Sequence, residues 1–207
     1  MAAKLSVLVL ESQPGGADRS RAELEARGHT VVGCHAPGRP VFPCDAIAAG
    51  RECPLEAGVV DVALVVRARD ASQPTPREDG AACAIRRHVP LVVAGATRWH
   101  PYAPYAGETV DGVAGVVDAC ERTATAPLPA HSAAAARALQ ETLERRGQAL
   151  GPEVSVLRRD GALVVRVAHA HRLDAATKGM AAVRMMAALR SLDHDSRGID
   201  VSFDDEV

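Results

Sequence analysis

Short apolar runs recur along the first 120 positions of the chain and are separated by polar segments with helical spacing. Val and Leu dominate these runs, which is typical of buried strands. The predicted strands are "KLSVLVLE", "HTVVGCH", "VVDVALVVRA", "VPLVVAGA" and the short "ETV". The predicted helices are "ADRSRAELEARG", "EDGAACAIRRH" and "DGVAGVVDACERTA". Strands that alternate with helices favour an α/β fold with a doubly wound parallel sheet over residues 1–122.

A different pattern begins after residue 122. The segment 123–132, "TATAPLPAHS", is rich in Pro, Ala and Thr and predicts a linker. A long helix follows it, and then two alternating runs joined at Asp160 and Gly161, a pair that favours a two-residue hairpin turn. A second helix and a last strand complete the order α-β-β-α-β. Residues 133–207 therefore predict a separate small α+β domain.

Composition and charge narrow the function classes. The chain is 47% hydrophobic and 24% charged, with a net charge of -2, as in soluble globular proteins. Its apolar runs are far shorter than the roughly 18 residues of a membrane span, and the N-terminal run is too short for a signal peptide. We therefore expect a cytoplasmic protein without a membrane partner. Aromatic residues make up only 2%, and the charge is balanced, so nucleic acid is not an expected partner.

The first 120 residues resemble the receiver domain of bacterial two-component response regulators, a flavodoxin-like fold. Three segments carry the resemblance: the opening "VLVLE", the third strand "VDVALVV", and "RRHVPLVVAGA", where a proline leads into the fourth strand. The resemblance implies a role in signal transduction. It also implies a phosphoryl-transfer site at the carboxyl ends of the strands, with Mg²⁺ bound by acidic residues after the first strand.

The residues at those positions differ from those of a working receiver. Glu11 follows the first strand, but Ser12 and Gln13 come next, where the resemblance implies a second acidic residue. The position of the phosphoacceptor Asp falls on Val66, and the position of the switch hydroxyl falls on Gly95. No lysine lies near the fifth strand. We therefore predict a pseudo-receiver without a phosphoacceptor, and no catalytic residues.

Three of the five cysteines lie in the stretch "CHAPGRPVFPCDAIAAGREC", where a receiver has a plain amphipathic helix. Cys34 ends the predicted second strand, at the edge where this fold class binds ligands. Cys44 lies in the first turn of a predicted short helix, where a thiolate is favoured. Cys53 precedes a turn. Cys83, on a later helix, and His35 are further candidate ligands.

Three interpretations of these thiols remain open. They form a zinc or iron–sulfur site, they form a thiol–disulfide switch, or they pack as small apolar side chains. Zinc and iron–sulfur sites usually contain a close C-x2-C pair, which this stretch does not have. Cys120 lies on the closing helix, where its spacing predicts packing in the core.

A loop after the fourth strand gathers Trp99, His100 and Tyr102, and we predict that these residues and Glu11 border a ligand or partner site. The C-terminal domain resembles, by its topology, small association modules of the alkaline-shock type, which implies self-association. Our first hypothesis is a non-catalytic regulatory or adaptor protein that acts through a protein partner or self-association. The alternative is a metal-binding or iron–sulfur redox sensor that uses residues 34–53.

Overall fold

The computed structural model describes residues 4–35, 41–68, 73–95, 100–148, 151–194 and 196–204. The chain divides into two compact units, Met1–Thr125 and Ala126–Val207. Within the described residues, no helix is both long enough and apolar enough to cross a membrane.

The first unit is an α/β domain with a five-stranded, all-parallel sheet in the order β2-β1-β3-β4-β5. Its strands are β1 (Ser6–Glu11), β2 (Thr30–Val32), β3 (Val62–Val66), β4 (Leu91–Ala94) and β5 (Glu108–Val110). Its helices are α1 (Asp18–Ala26), α2 (Asp45–Ala49), α3 (Asp79–Arg86) and α4 (Val116–Thr125). The predicted α/β class with a parallel sheet is confirmed, and the strand order is consistent with a flavodoxin-like fold.

Helices cover both faces of this sheet, as the continuous apolar strands require. Leu24 of α1 and Val116 of α4 pack in one cluster with Val7, Val9 and Leu64. On the other face, Ala81 and Ala84 of α3 pack with Leu8, Leu10 and Val65. Consecutive residues of β1 thus alternate between the two clusters, which is the expected period of a strand.

The second unit is a small α+β domain. Its elements are α5 (Pro129–Glu144), β6 (Val154–Arg159), β7 (Ala162–Val167), α6 (Ala175–Leu192) and β8 (Ile199–Phe203). The sheet is mixed: β6 and β7 are antiparallel, and β8 pairs in parallel with β7. Asp160 and Gly161 both have positive φ angles, 49° and 75°, as the predicted hairpin turn requires. Apolar residues of α5 and α6, including Leu139, Met185 and Leu189, pack on one face of the sheet.

Two predicted boundaries differ from the structure. The ten-residue linker 123–132 is wrong: α4 continues to Thr125 and α5 begins at Pro129, so that only residues 126–128 join the helices. Alanine and threonine are compatible with helix here, and Pro129 stands at the first helical position, where its missing N–H costs nothing. The second strand ends at Val32, so Cys34 lies after the strand rather than at its end.

Candidate functional site

The carboxyl end of β3 is where a receiver carries its phosphoacceptor. Val66, the last residue of β3, is 2% exposed, and its side chain packs in the cluster formed with α1 and α4. Arg67 follows, and its side chain is fully buried. The carboxyl end of β3 therefore carries a buried hydrocarbon side chain, Val66, followed by the buried guanidinium of Arg67. Val66 provides no oxygen atom for phosphoryl transfer.

Arg67 forms an ion pair with Glu78 that is closed to solvent, since both side chains are 0% exposed. Nε of Arg67 donates to Oε1 of Glu78 at 2.6 Å, and Nη2 donates to Oε2 at 2.8 Å. Nη2 also donates to the carbonyl oxygen of Gln73 at 2.9 Å. Two parallel hydrogen bonds to one carboxylate are the geometry in which arginine binds most strongly.

Local structure holds Glu78 in place. Residues Thr75 to Glu78 form a capping box before α3, in which Oε2 of Glu78 accepts from the backbone N–H of Thr75 at 2.7 Å. The Thr75 hydroxyl donates to the carbonyl oxygen of Ser12, 3.1 Å away, in the loop after β1. The ion pair is thereby tied to the loops that follow β1 and β3.

Gly95, at the switch-hydroxyl position, allows a close backbone approach to Arg67. Its φ angle is 142°, and an added Cβ would lie 2.1 Å from the carbonyl oxygen of Arg67. A serine or threonine would therefore collide with the backbone at this position. The close packing of the backbone against Arg67 thus requires a glycine at position 95.

His100 and Tyr102 lie next to this ion pair and are buried, with 7% and 8% exposure. Their rings meet edge to face, with centroids 5.9 Å apart, and the Tyr102 hydroxyl donates to the carbonyl oxygen of Glu78 at 3.5 Å. Burial and the charge of Arg67 lower the pKa of His100 to about 4, so the ring is neutral at pH 7. Burial and the Glu78 charge raise the pKa of Tyr102 to about 12. Trp99 lies outside the described residues.

Glu11, at the end of β1, borders a separate cleft of about 630 Å³. We call this the charged cleft; its lining includes Glu11, Asp18, Arg21, Cys34, His35 and Arg77. Oε2 of Glu11 accepts from the backbone N–H of Ala17 at 3.2 Å, and Oε1 lies 3.5 Å from Nη1 of Arg77. Charges of both signs line the cleft, and the Glu11 carboxylate already has cationic and N–H partners.

The cysteines predicted as a group do come together in the first unit. Cys34, Cys44 and Cys53 line a cleft of about 460 Å³, which we call the cysteine cleft. Cys34, Cys53 and Cys83 pack against the apolar cluster that includes Leu55 and α3. The backbone N–H of Asp45 donates to the carbonyl oxygen of Cys34 at 3.1 Å and fixes the start of α2 beside the end of β2. Cys44 is the residue before α2 and lies outside its first turn.

Burial raises the pKa of the Cys34 thiol to about 12, and the thiols of Cys53, Cys44 and Cys83 add to this rise. All four cysteines are free and half-buried, whereas Cys120 is fully buried in the core, as predicted. Among the described residues, no group of three or more His, Cys, Asp or Glu side chains is arranged to hold a metal ion. The zinc or iron–sulfur site therefore stays a prediction.

The Arg67–Glu78 pair is not among the predicted site residues, although two signals in the sequence mark it. Arg67 is a single charged residue directly after five buried apolar residues, and "TPRE" has the Thr-x-x-Glu spacing of a capping box.

Comparison with known protein families finds no family that matches this chain. A search of curated proteins likewise finds no match.

Proposed function

We propose that this protein is a non-catalytic regulatory protein whose first unit is a receiver-like domain that does not accept a phosphoryl group. The buried Arg67–Glu78 pair directly after β3 is the observation that carries this proposal. It places a satisfied arginine beside the acceptor position, and Val66 at that position has no nucleophilic oxygen. Regulation then works through contacts with proteins rather than through aspartyl phosphate.

The end of β1 supports the same proposal. Mg²⁺ prefers several oxygen ligands in near-octahedral geometry. Glu11, the last residue of β1, is followed by Ser12 and Gln13 rather than by a second acidic residue. Its Oε2 accepts from the Ala17 N–H, and its Oε1 lies 3.5 Å from Nη1 of Arg77. Ser12, which follows it, is 9% exposed. The Glu11 carboxylate thus has internal partners, a backbone N–H and a guanidinium, at the place where a working receiver binds Mg²⁺.

Incubation of the full chain with Mg²⁺ and radiolabelled acetyl phosphate tests this proposal. We expect no stoichiometric label, because the acceptor position is Val66. A working receiver in the same assay controls for reagent quality, and a parallel sample without Mg²⁺ controls for non-specific acylation of the surface. Stoichiometric, Mg²⁺-dependent labelling of any Asp or Glu of this chain would overturn the proposal.

The second unit supports regulation by self-association. Met180 and Val183 of α6 are 41% and 63% exposed and lie three residues apart, so they share one face of the helix. Met185 and Leu189 of the same helix are fully buried and face the sheet. Apolar side chains on the outward face of α6 fit a helix that binds a second copy of the chain.

Sedimentation velocity over a range of protein concentrations tests self-association. We expect the sedimentation coefficient to rise with concentration for the unmodified chain, and Val183→Glu to keep the protein monomeric. Ile47→Glu is the matched control, since Ile47 is 73% exposed in the first unit and is expected to leave association unchanged. A monomeric unmodified chain at every concentration would contradict this part of the proposal.

A further inference from the structure

Among the thiols of the first unit, Cys34 and Cys53 share two surroundings. Both line the cysteine cleft, and both pack against the apolar cluster under α3. Cys44 belongs to the cleft, and Cys83 belongs to the packed cluster. Cys34 and Cys53 thus lie where the cleft meets the core, and this common position separates them from Cys44, Cys83 and the buried Cys120.

The position of Cys34 is set by close packing. A Cβ atom added at Gly80 of α3 would lie 2.8 Å from Sγ of Cys34, so the thiol rests against the helix backbone. Burial is the main cause of the raised pKa of Cys34. Among the neighbouring cysteines that add to it, Cys53 contributes most, ahead of Cys44 and Cys83. Cys53 is therefore its principal sulfur neighbour in electrostatic terms as well.

The geometry points to Cys34 and Cys53 as a dithiol that is oxidised reversibly to a disulfide. Two sulfur atoms are sufficient for this chemistry, whereas a structural zinc site needs four ligands. Since the described residues contain no group of three or more ligands arranged for a metal ion, a pair is the unit that this part of the chain provides. Both thiols are free and half-buried, so a small oxidant reaches them.

The oxidant is hydrogen peroxide, and the reaction proceeds in two steps. The Cys53 thiol loses its proton and attacks one peroxide oxygen; the O–O bond breaks, the leaving hydroxide takes up that proton, and Cys53 sulfenic acid and one water form. Sγ of Cys34 then attacks the sulfenic sulfur; the S–S bond forms, the S–O bond breaks, and a second water leaves with the Cys34 proton. Two thiols and one hydrogen peroxide give one disulfide and two waters.

The role of Cys34 follows from its burial. Burial keeps Cys34 protonated at neutral pH, and a protonated thiol is a poor nucleophile toward peroxide, so Cys34 serves as the resolving thiol. The disulfide joins the two ends of the segment that carries Phe42 and Ile47, which are 70% and 73% exposed. Oxidation thus restricts the backbone of the segment that carries these two exposed apolar side chains.

Peptide mapping of the full chain tests the assignment. The reduced protein is treated with hydrogen peroxide, its remaining thiols are alkylated under denaturing conditions, and a digest is analysed by mass spectrometry. We expect the free thiols to fall from five to three, one linked peptide pair to join Cys34 to Cys53, and dithiothreitol to restore all five. Five remaining thiols, a different linked pair, or a sulfinic acid without a disulfide would each overturn the inference.

Single variants give a second measurement with matched controls. Cys34→Ser and Cys53→Ser are each expected to abolish peroxide-induced disulfide formation, because each removes one of the two sulfur atoms of the bond. Cys44→Ser and Cys83→Ser, which remove thiols of similar exposure, are expected to leave the Cys34–Cys53 link intact. Loss of the link in either control would show that the pair has been assigned wrongly. The result is independent of the acetyl phosphate and sedimentation experiments.

Discussion

The Arg67–Glu78 pair of the first unit and the Arg158–Asp193 pair of the second unit are chemically alike but lie in different surroundings. Both arginines bond a carboxylate with almost no solvent access. Arg67 and Glu78 come from the loop after β3 and the turn before α3, at the sheet edge where this fold class binds ligands. Arg158 lies on β6, and Asp193 directly follows α6.

The partners of each pair explain what the difference means. Glu78 is held by the backbone of Thr75, and Arg67 by the carbonyl of Gln73, so the first pair is satisfied by neighbouring loop atoms. Asp193 also lies 3.5 Å from Nε2 of His131 on α5. The second cluster therefore joins α5, β6 and the end of α6 across the core of a small domain. The Arg67–Glu78 pair occupies the edge of the sheet, whereas the Arg158–Asp193 pair connects α5, β6 and the end of α6.

The largest effect is expected for Glu78→Gln. This substitution keeps the shape of the side chain but leaves the buried Arg67 charge without its counter-ion, which costs about 3–5 kcal/mol of stability. Hydrogen exchange of the full chain, measured by mass spectrometry, should show lost protection in β3 and α3 and little change in α5 and α6. Asp79→Asn is the control, because Asp79 is the exposed neighbouring acid. Equal losses for the two variants would mean that the ion pair is not the stabilising contact.

Lowering the pH is expected to have the next largest effect on stability, and to destabilise the second unit. Burial opposes ionisation of Asp193, but the nearby His131 ring and the charge of Arg158 outweigh it and lower the pKa to about 2. A folded-state pKa below the unfolded value of 3.8 stabilises the fold above pH 4 and loses that stabilisation as the pH falls toward 2. The contribution at pH 7 is about 2 kcal/mol.

Exchange protection of α5 and α6 peptides between pH 5 and pH 2, corrected for intrinsic exchange rates, measures this contribution. Asp193→Asn should remove most of the pH dependence of these peptides and lower their protection at neutral pH. A variant that titrates like the unmodified chain would show that another group is responsible for the acid sensitivity.

The sequence predicted the regular parts of both units because hydrophobic spacing determines them. The strand "ETV" coincides with β5, and the Asp160–Gly161 turn has the expected backbone angles. The two ion pairs depend on contacts that spacing does not encode. Alternation along β6 places Arg158 on the same face as Val156, but its partner Asp193 lies 35 residues later. The capping box predicts that Glu78 accepts a hydrogen bond from the backbone N–H of Thr75. It does not predict that the same carboxylate pairs with Arg67.

In the candidate site, too, the sequence predicts which residues are grouped but not the contacts they make in the fold. The sequence identified the cysteines as a group, because three of them occur in one segment. Which two of them line the cleft and also pack against the core could not be predicted, since that depends on how Cys34 and Cys53 pack beside α3. Likewise, His100 and Tyr102 were expected to border a ligand or partner site, and the structure places them in the interior beside the Arg67–Glu78 pair.

The smallest effect is expected for an exposed pair of the same chemistry. Nε of Arg19 donates to Oε1 of Glu23 at 2.9 Å on α1, with side-chain exposures of 73% and 36%. Arg19→Ala should cost no more than about 0.5 kcal/mol, because water solvates both charges once they separate. Exchange protection in α1 measures this loss under the conditions used for Glu78→Gln. If Arg19→Ala costs as much as Glu78→Gln, burial does not set the strength of these pairs, and the contrast between the exposed and buried arginines fails.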